Sequence, residues 1–256
     1  MIDLRKGDCL EVMKTIEDNS IDAIITDPPY GTTACKWDSV IDFDLMWEQL
    51  NRIIKPNGAI VLFGSEPFSS ALRMSNIKDY RYDWIWHKNT SGGFATAKKL
   101  PMKYHEIISI FYNKLPTYNP QFQDYSDSTK KRFKNGEMVN RNKQLIKSSN
   151  KIQGGLSFKG EQGMEILRGK YPETVIKINS VPNANGGKLH PTQKPIALME
   201  YLIKTYTNEN ETILDFTMGS GSTGVATKNL NRNFVGIEQD EKYFNIAQDR
   251  INSTLF

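Results

Sequence analysis

Gly219-Ser220-Gly221-Ser222-Thr223-Gly224 sets three glycines at G-x-G-x-x-G spacing, between a run that reads as a strand, Thr212 to Phe216, and one that reads as a helix, Ser222 to Leu230. Glycines there allow a tight turn and let backbone approach a ligand, while the helix N-terminus offers unpaired N–H groups. Glu238 follows at the end of the next strand candidate, Asn233 to Ile237, about 20 residues on, where a ribose-hydroxyl ligand is expected. A plain structural turn is the alternative, but the strand, the helix and the acid together favour a nucleotide or nucleoside cofactor. The chain ends 18 residues after Glu238. A conventional dinucleotide fold needs more strands downstream, so the sheet is expected to be completed by N-terminal strands. The reading is a circularly permuted, Rossmann-like, doubly wound α/β fold with a mostly parallel sheet and its cofactor half last.

The rest of the chain supplies those strands. Asp22 to Thr26 reads as a short buried strand running into a double-proline turn. Phe43 to Ile54 carries Phe43, Met46, Trp47, Leu50 and Ile54 at helical spacing. Lys55-Pro56-Asn57-Gly58 is expected to stop that helix before a second buried strand, Ala59 to Phe63. Tyr82 to Trp86 and Glu106 to Tyr112 are further strand candidates, rich in aromatic and β-branched residues. Pro195 opens a helix with Ile196, Met199, Leu202, Ile203 and Tyr206 on its inner face, and Asp240 caps a last helix reaching about Ile251.

Between these halves the charge changes. The whole chain is +4, but residues 121–190 hold 13 Lys and Arg against 6 Asp and Glu. The excess is therefore local. Phe122, Tyr125, Phe133 and Phe158 are interspersed there, a mixture that suits phosphate contact and base stacking, with a solvated loop as the alternative. The expected organisation is 1–114 as one half of the domain, 115–188 as a basic insert, and 189–256 as the cofactor half.

Several function classes are excluded at this level. The mean hydropathy of −0.52 and the short apolar runs leave no candidate for a membrane span. The first residues lack the apolar stretch of a secretion signal. Cys9 and Cys35 cannot form a disulfide framework or a four-ligand zinc site, and His87, His105 and His190 are scattered, so no metal is expected. A reducing cytoplasm fits this usage.

Asp27-Pro28-Pro29-Tyr30 follows the first strand directly, at the carboxyl edge where open α/β folds bind ligands. Each proline fixes φ and holds the preceding residue extended, so this backbone is stiff. The prolines lack N–H donors, leaving carbonyls and the Asp27 carboxylate as acceptors beside the flat ring of Tyr30. Acceptors beside an aromatic face suit a planar substrate bearing an exocyclic NH₂, although Pro-Pro is also a common turn pair.

Taken together these segments resemble the permuted, beta-group amino DNA methyltransferases that use S-adenosylmethionine. Asp27-Pro28-Pro29-Tyr30 matches their catalytic motif and Asp215 to Gly224 their cofactor loop. Val235-Gly236-Ile237-Glu238, with Tyr243, Ala247 and Arg250, resembles the segment around their ribose-binding acid. His190-Pro191-Thr192-Gln193-Lys194-Pro195 matches their H-P-x-x-K-P stretch, and Gly7-Asp8-Cys9-Leu10 the segment whose acid contacts adenine. The resemblance covers residues 1–114 and 189–256; the middle resembles no named family, as expected of a target-recognition region.

The resemblance implies methyl transfer to the exocyclic N6 of adenine in double-stranded DNA, because Asp stands first in the catalytic motif where Ser is more usual for cytosine N4. It implies catalysis by Asp27, Pro28 and Pro29, with Tyr30 stacking on a flipped base. It places Asp215, Phe216, Gly219 and Gly221 around the methionine portion of the cofactor, Glu238 on the ribose, and Asp8 and Cys9 beside the adenine. Asp8 as a turn or cap residue is the competing reading. Lys194 either orients the methionine carboxylate or merely precedes a helix. Phosphate contact falls to members of Lys130, Lys131, Arg132, Lys134, Arg141, Lys143 and Lys147. For His105 a satisfied, half-buried histidine is the preferred reading. A homodimer and a cognate restriction endonuclease are compatible partners; a membrane is not. An RNA or protein-glutamine methyltransferase, a non-catalytic nucleic-acid-binding module and an NAD-dependent oxidoreductase remain as alternatives.

Overall fold

The strand and helix candidates all form, and they assemble into one eight-stranded sheet. The computed structural model describes residues 1–32, 38–93, 95, 97–130, 133–134, 137–138, 169–182 and 188–253. In chain order the elements are β1 Ile2–Lys6, α1 Cys9–Met13, β2 Ile21–Thr26, α2 Phe43–Ile53, β3 Ile54–Gly64, α3 Phe68–Ser75, β4 Tyr80–Gly92, β5 Lys103–Phe111, α4 Asp127–Lys130, β6 Phe133–Lys134, β7 Glu137–Met138, β8 Val175–Lys177, α5 Ile196–Tyr206, β9 Thr212–Asp215, α6 Ser222–Asn229, β10 Asn233–Glu238 and α7 Glu241–Ser253.

The sheet order is β1-β10-β9-β2-β3-β5-β4-β8. The permutation expected from the position of the glycine loop is visible in it. The last strand, β10, sits between β1 and β9, and β9 pairs in parallel with β2, so the two ends of the sequence meet in mid-sheet. β5 runs antiparallel to both β3 and β4, which makes the sheet mixed rather than wholly parallel. A parallel crossover needs a dozen or more residues, usually a helix, whereas the ten residues between β4 and β5 return the chain directly.

Alternation along the strands fills both faces. In β3, Ile60 and Leu62 face the layer holding Met46, Leu50 and Leu72, while Ala59, Val61 and Phe63 face the layer holding Leu198, Leu202 and Tyr206. The sheet is thus covered by α2 and α3 on one side and by α5 on the other. Fully burying each such side chain contributes roughly 1.5–3 kcal/mol. A smaller cluster of Met218, Val225, Phe234, Ala247 and Ile251 seats α6 and α7.

One boundary differs from expectation. Lys55 to Gly58 do not separate helix from strand: β3 begins at Ile54, paired with Ile21, and its register then shifts so that Ala23 meets Ala59. These residues form an irregularity within the strand. Lys55 donates to Asp22 Oδ1 at 2.6 Å and the Thr212 N–H donates to Asp22 Oδ2 at 2.9 Å, which ties β3, β2 and β9 together at that end.

Chain contacts divide the protein into a larger unit, 1–119 with 174–256, and a smaller one, 120–173. The smaller unit is narrower than the 115–188 insert read from composition, because Val175–Lys177 pairs in parallel with β4 as the last strand of the main sheet. Within the smaller unit Gln123 and Lys170 form an antiparallel bridge and Phe122 packs on Tyr171 at 4.9 Å. Among the described residues no helix is long and apolar enough to cross a membrane.

Candidate active site

β1, β10, β9, β2, β3 and β4 all point the same way, so the ends of four of them gather Asp8, Glu238, Asp215 and Asp27 at one edge of the sheet. The start of antiparallel β5 brings Glu106 to that same edge. A cavity of about 330 Å³ opens there, lined by Gly7, Asp8 and Cys9, by Asp27 to Tyr30, by Lys194, by Asp215 to Ser220 and by Glu238. That volume lies in the usual range for small-molecule sites.

The proline turn is held from both sides. The Asp38 carboxylate accepts from the N–H groups of Tyr30, Gly31 and Thr32 at 2.8, 2.9 and 2.9 Å. The Thr217 hydroxyl donates to the Asp27 carbonyl at 3.1 Å. The Tyr30 ring packs on Phe68 with centroids 5.0 Å apart, and its hydroxyl donates to Asp27 Oδ1.

The other Asp27 oxygen, Oδ2, accepts from Lys194 Nζ. Lys194 is 7% exposed, and its ammonium also lies 3.3 Å from Glu106 Oε2. Glu106 Oε1 in turn accepts from Lys88 at 2.9 Å. Burial raises the Asp27 pKa, Lys194 opposes that, and Glu106 adds to it; the carboxyl ends above its ordinary value. Burial works against the Lys194 charge, but Asp27 and Glu106 hold its pKa up. Burial likewise works to raise Glu106, yet Lys194 and Lys88 keep it below the usual carboxylate range. Lys194 therefore does more than precede a helix: it lines the cavity and is paired there with Asp27 and Glu106.

The glycine loop forms the far wall. Gly221, at φ +77°, turns the chain into α6; a Cβ there would sit 2.9 Å from the Ala247 Cβ, so the position demands glycine twice over. It shapes the loop without lining the cavity, whereas Gly219 does line it. Asp215 lines the cavity too, but both its oxygens are taken. Oδ1 accepts from Thr26 at 2.6 Å and from the Thr217 N–H at 3.2 Å, and Oδ2 accepts from Thr223 at 2.6 Å. It joins the proline turn to the loop, and burial pushes its pKa up to about 6. Phe216 is buried beside it.

Glu238 accepts from the N–H groups of Gly219 at 2.9 Å and Asp240 at 2.8 Å, which aims its carboxylate along the loop. Asp8 is the cap residue of its competing reading, and it also stands at the cavity. It caps α1 by accepting from the N–H groups of Leu10 and Glu11. Burial pushes the neighbouring Cys9 thiol up to about 12, so it lies there uncharged. The His190 ring meets Tyr243 edge-on at 4.2 Å, and burial pushes it down to about 4, leaving it neutral.

The arrangement fits S-adenosylmethionine. Ser222 Oγ is buried at the cavity wall and, among the described residues, has no hydrogen-bond partner; it stands beside α6 N–H groups that no described side chain caps. A polar tail on the ligand would satisfy both.

A family model described as DNA methylase, covering N6 and N4 enzymes, matches residues 21–249. This chain belongs to the DNA methylase family. The type II methyltransferase M.HpaI of Haemophilus parainfluenzae is 30% identical over 260 residues, spanning 96% of this chain and 73% of that relative. A crystal structure of an M1.HpyAVI–SAM complex superposes with a TM-score of 0.61 at 25% identity, covering 98% of this chain and all of that one. The cytosine-N4-specific PvuII DNA methyltransferase shares the fold, with a TM-score of 0.66 at 15% identity over 97% of this chain and 86% of that one. Set beside this methylase assignment, the proline turn and the glycine loop occupy one cavity, as the resemblance implied.

Sequence reading missed Glu106, Asp38, Thr26 and Lys88. Glu106 was within reach, because alternation along β5 puts it on the face of Ile108 and Ile110 while His105 points away. His105 is exposed rather than half-buried. Of the basic residues expected on DNA, Lys130 ends α4 and Lys134 lies in β6. Lys131, Arg132, Arg141, Lys143 and Lys147 lie outside the described residues.

Proposed function

We propose that this methylase transfers a methyl group to the exocyclic N6 of adenine in duplex DNA, with Asp27 and the Pro28 carbonyl as the acceptors that hold the amine. The observation that carries this reading is the stiff Asp27-Pro28-Pro29-Tyr30 turn at one wall of the same cavity whose other wall is the glycine loop. S-adenosylmethionine is the methyl donor, and when bound it supplies an electrophilic methyl on a sulfonium. Gly219, Glu238, Asp8 and the Ser222 hydroxyl are the residues that would hold it.

An aryl amine is a poor nucleophile because its lone pair is spread into the ring. Two acceptors on its N–H groups favour a localised lone pair, which is preorganised electrostatics and positioning. Asp27 suits that task because burial keeps it more basic than an exposed carboxylate, with Lys194 opposing that rise. It is also the nearest base for the proton that the methylated nitrogen sheds. Tyr30 would stack on the extruded base, its ring already fixed by Phe68. The basic segment 121–190 supports DNA as the partner through phosphate contacts. A cytoplasmic location, a homodimer and a cognate endonuclease are compatible with this role.

Incubation with unmethylated DNA and S-adenosylmethionine, then digestion to nucleosides and mass spectrometry, tests the base. N6-methyladenine is the expected product; N4-methylcytosine would overturn the choice of base and leave the reaction class intact. Glu238→Ala is expected to weaken cofactor binding by about tenfold or more through loss of a carboxylate acceptor. Titration calorimetry with S-adenosylmethionine checks this, and unchanged affinity would mean that the ribose is held elsewhere.

A further inference from the structure

Four charged side chains form a chain that begins at the cavity wall with Asp27 and Lys194. Lys88 on β4 contacts Glu106 on β5 at 2.9 Å, Glu106 contacts Lys194 at 3.3 Å, and Lys194 bonds Asp27. Glu106 Oε2 is buried, and at 3.3 Å it holds the Lys194 ammonium more loosely than Asp27 Oδ2 does. The Lys194 ammonium thus sits between a carboxylate oxygen it bonds closely and another it could bond more closely.

An ammonium on Asp27 Oδ2 competes with an incoming amine for the same lone pairs and weakens the acceptor by neutralising it. Lys194 is buried, so sending its charge into the protein interior unpaired would be costly. Glu106 Oε2 removes that difficulty, because it lies within a small rotation of a flexible four-carbon stem.

We propose that Glu106 is a positioning residue for methyl transfer, the second seat to which the Lys194 ammonium moves when the substrate amine takes its place on Asp27. The proposal rests on the reading of Asp27 as the amine acceptor. Lys88 holds Glu106 from the other side and limits how strongly it draws Lys194. The other ionisable groups facing this chain are Tyr30 beside Asp27, Lys188 and His190 ahead of Lys194, and Asp215, which feels the Asp27 charge.

The test is the pH profile of kcat for the full chain at saturating DNA and S-adenosylmethionine. Ionised Asp27 sets the acid limb. Glu106→Gln removes a negative charge that raises the Asp27 pKa, so the limb is expected to move to lower pH by about half a unit or more. Its kcat is expected to fall about tenfold as Lys194 stays on Asp27. Lys88→Met frees the Glu106 charge and is expected to move the limb to higher pH. Glu106→Asp keeps the charge and should leave the limb near its wild-type position. A purely packing role for Glu106 would not shift the two limbs in opposite senses, and a fixed charge there would shift them without the tenfold loss of kcat in Glu106→Gln.

Limbs that stay in place, or move in the same sense in both variants, would overturn the proposal. Should Glu106→Gln fail to fold, the direction of the Lys88→Met shift decides alone. An Asp27→Ala enzyme run alongside separates the two readings. If it is active, the reading of Asp27 is wrong; if it is inactive and the limbs do not move, only the role of Glu106 is.

Discussion

Asp27→Ala is expected to lower kcat by roughly 10²–10³-fold, the loss typical of removing one preorganised group from a charge-stabilising site. S-adenosylmethionine affinity should change little. The far wall of the cavity does not depend on the Asp27 side chain: Glu238 is held by the Gly219 and Asp240 N–H groups, and Asp8 by Leu10 and Glu11. The contact that does link Asp27 to the glycine loop, from the Thr217 hydroxyl, goes to its backbone carbonyl, which alanine preserves. The Pro28 carbonyl also remains, so some positioning should survive. Single-turnover methyl transfer and cofactor titration on the same preparation check the split. Full activity, or equal losses of binding and turnover, would remove Asp27 from the chemistry.

Lys194→Met is expected to produce the largest loss of stability, about 3–5 kcal/mol at neutral pH. The methionine fills much of the lysine volume over the Phe63 ring, so packing is largely kept. What changes is that Asp27 and Glu106 then share the site without the cation between them. Both pKa values should rise above their unfolded values, so the folded variant binds protons more readily than the unfolded chain. The stability loss is therefore greatest above those raised pKa values and shrinks as pH falls toward them. Denaturant midpoints of wild type and variant at about pH 7 and about pH 5 check this, with the gap narrowing at the lower pH. A gap independent of pH would mean that the lost interaction is not electrostatic.

Much of the fold was legible because its signals are local. The unbroken apolar run Ala59 to Phe63, the helical spacing of Met46, Trp47 and Leu50, and Pro195 before a helix depend on neighbours a few residues away. The hairpin pairing of β4 and β5 and the addition of β8 to the sheet edge were not legible, since they rest on partners tens of residues apart. The same division runs through the site. Glycines and prolines announce themselves because their backbone limits are intrinsic. Asp38 and Thr26 do not, because a short polar side chain signals nothing until folding supplies its partners.

The order of motifs along the chain, the stiff acceptor turn, the glycine loop and the acid after β10 were determined by the sequence itself. Each is a local constraint on backbone or charge, and each brought its chemistry with it. The tertiary structure decided what those residues face. It gave Lys194 to Asp27 and Glu106 across 167 and 88 positions of sequence, and made Asp215 a strut between turn and loop at the cavity wall. The physical reason is burial: a charge or carboxylate withdrawn from water must find its partner within a few ångströms, and only the closed sheet determines who is there.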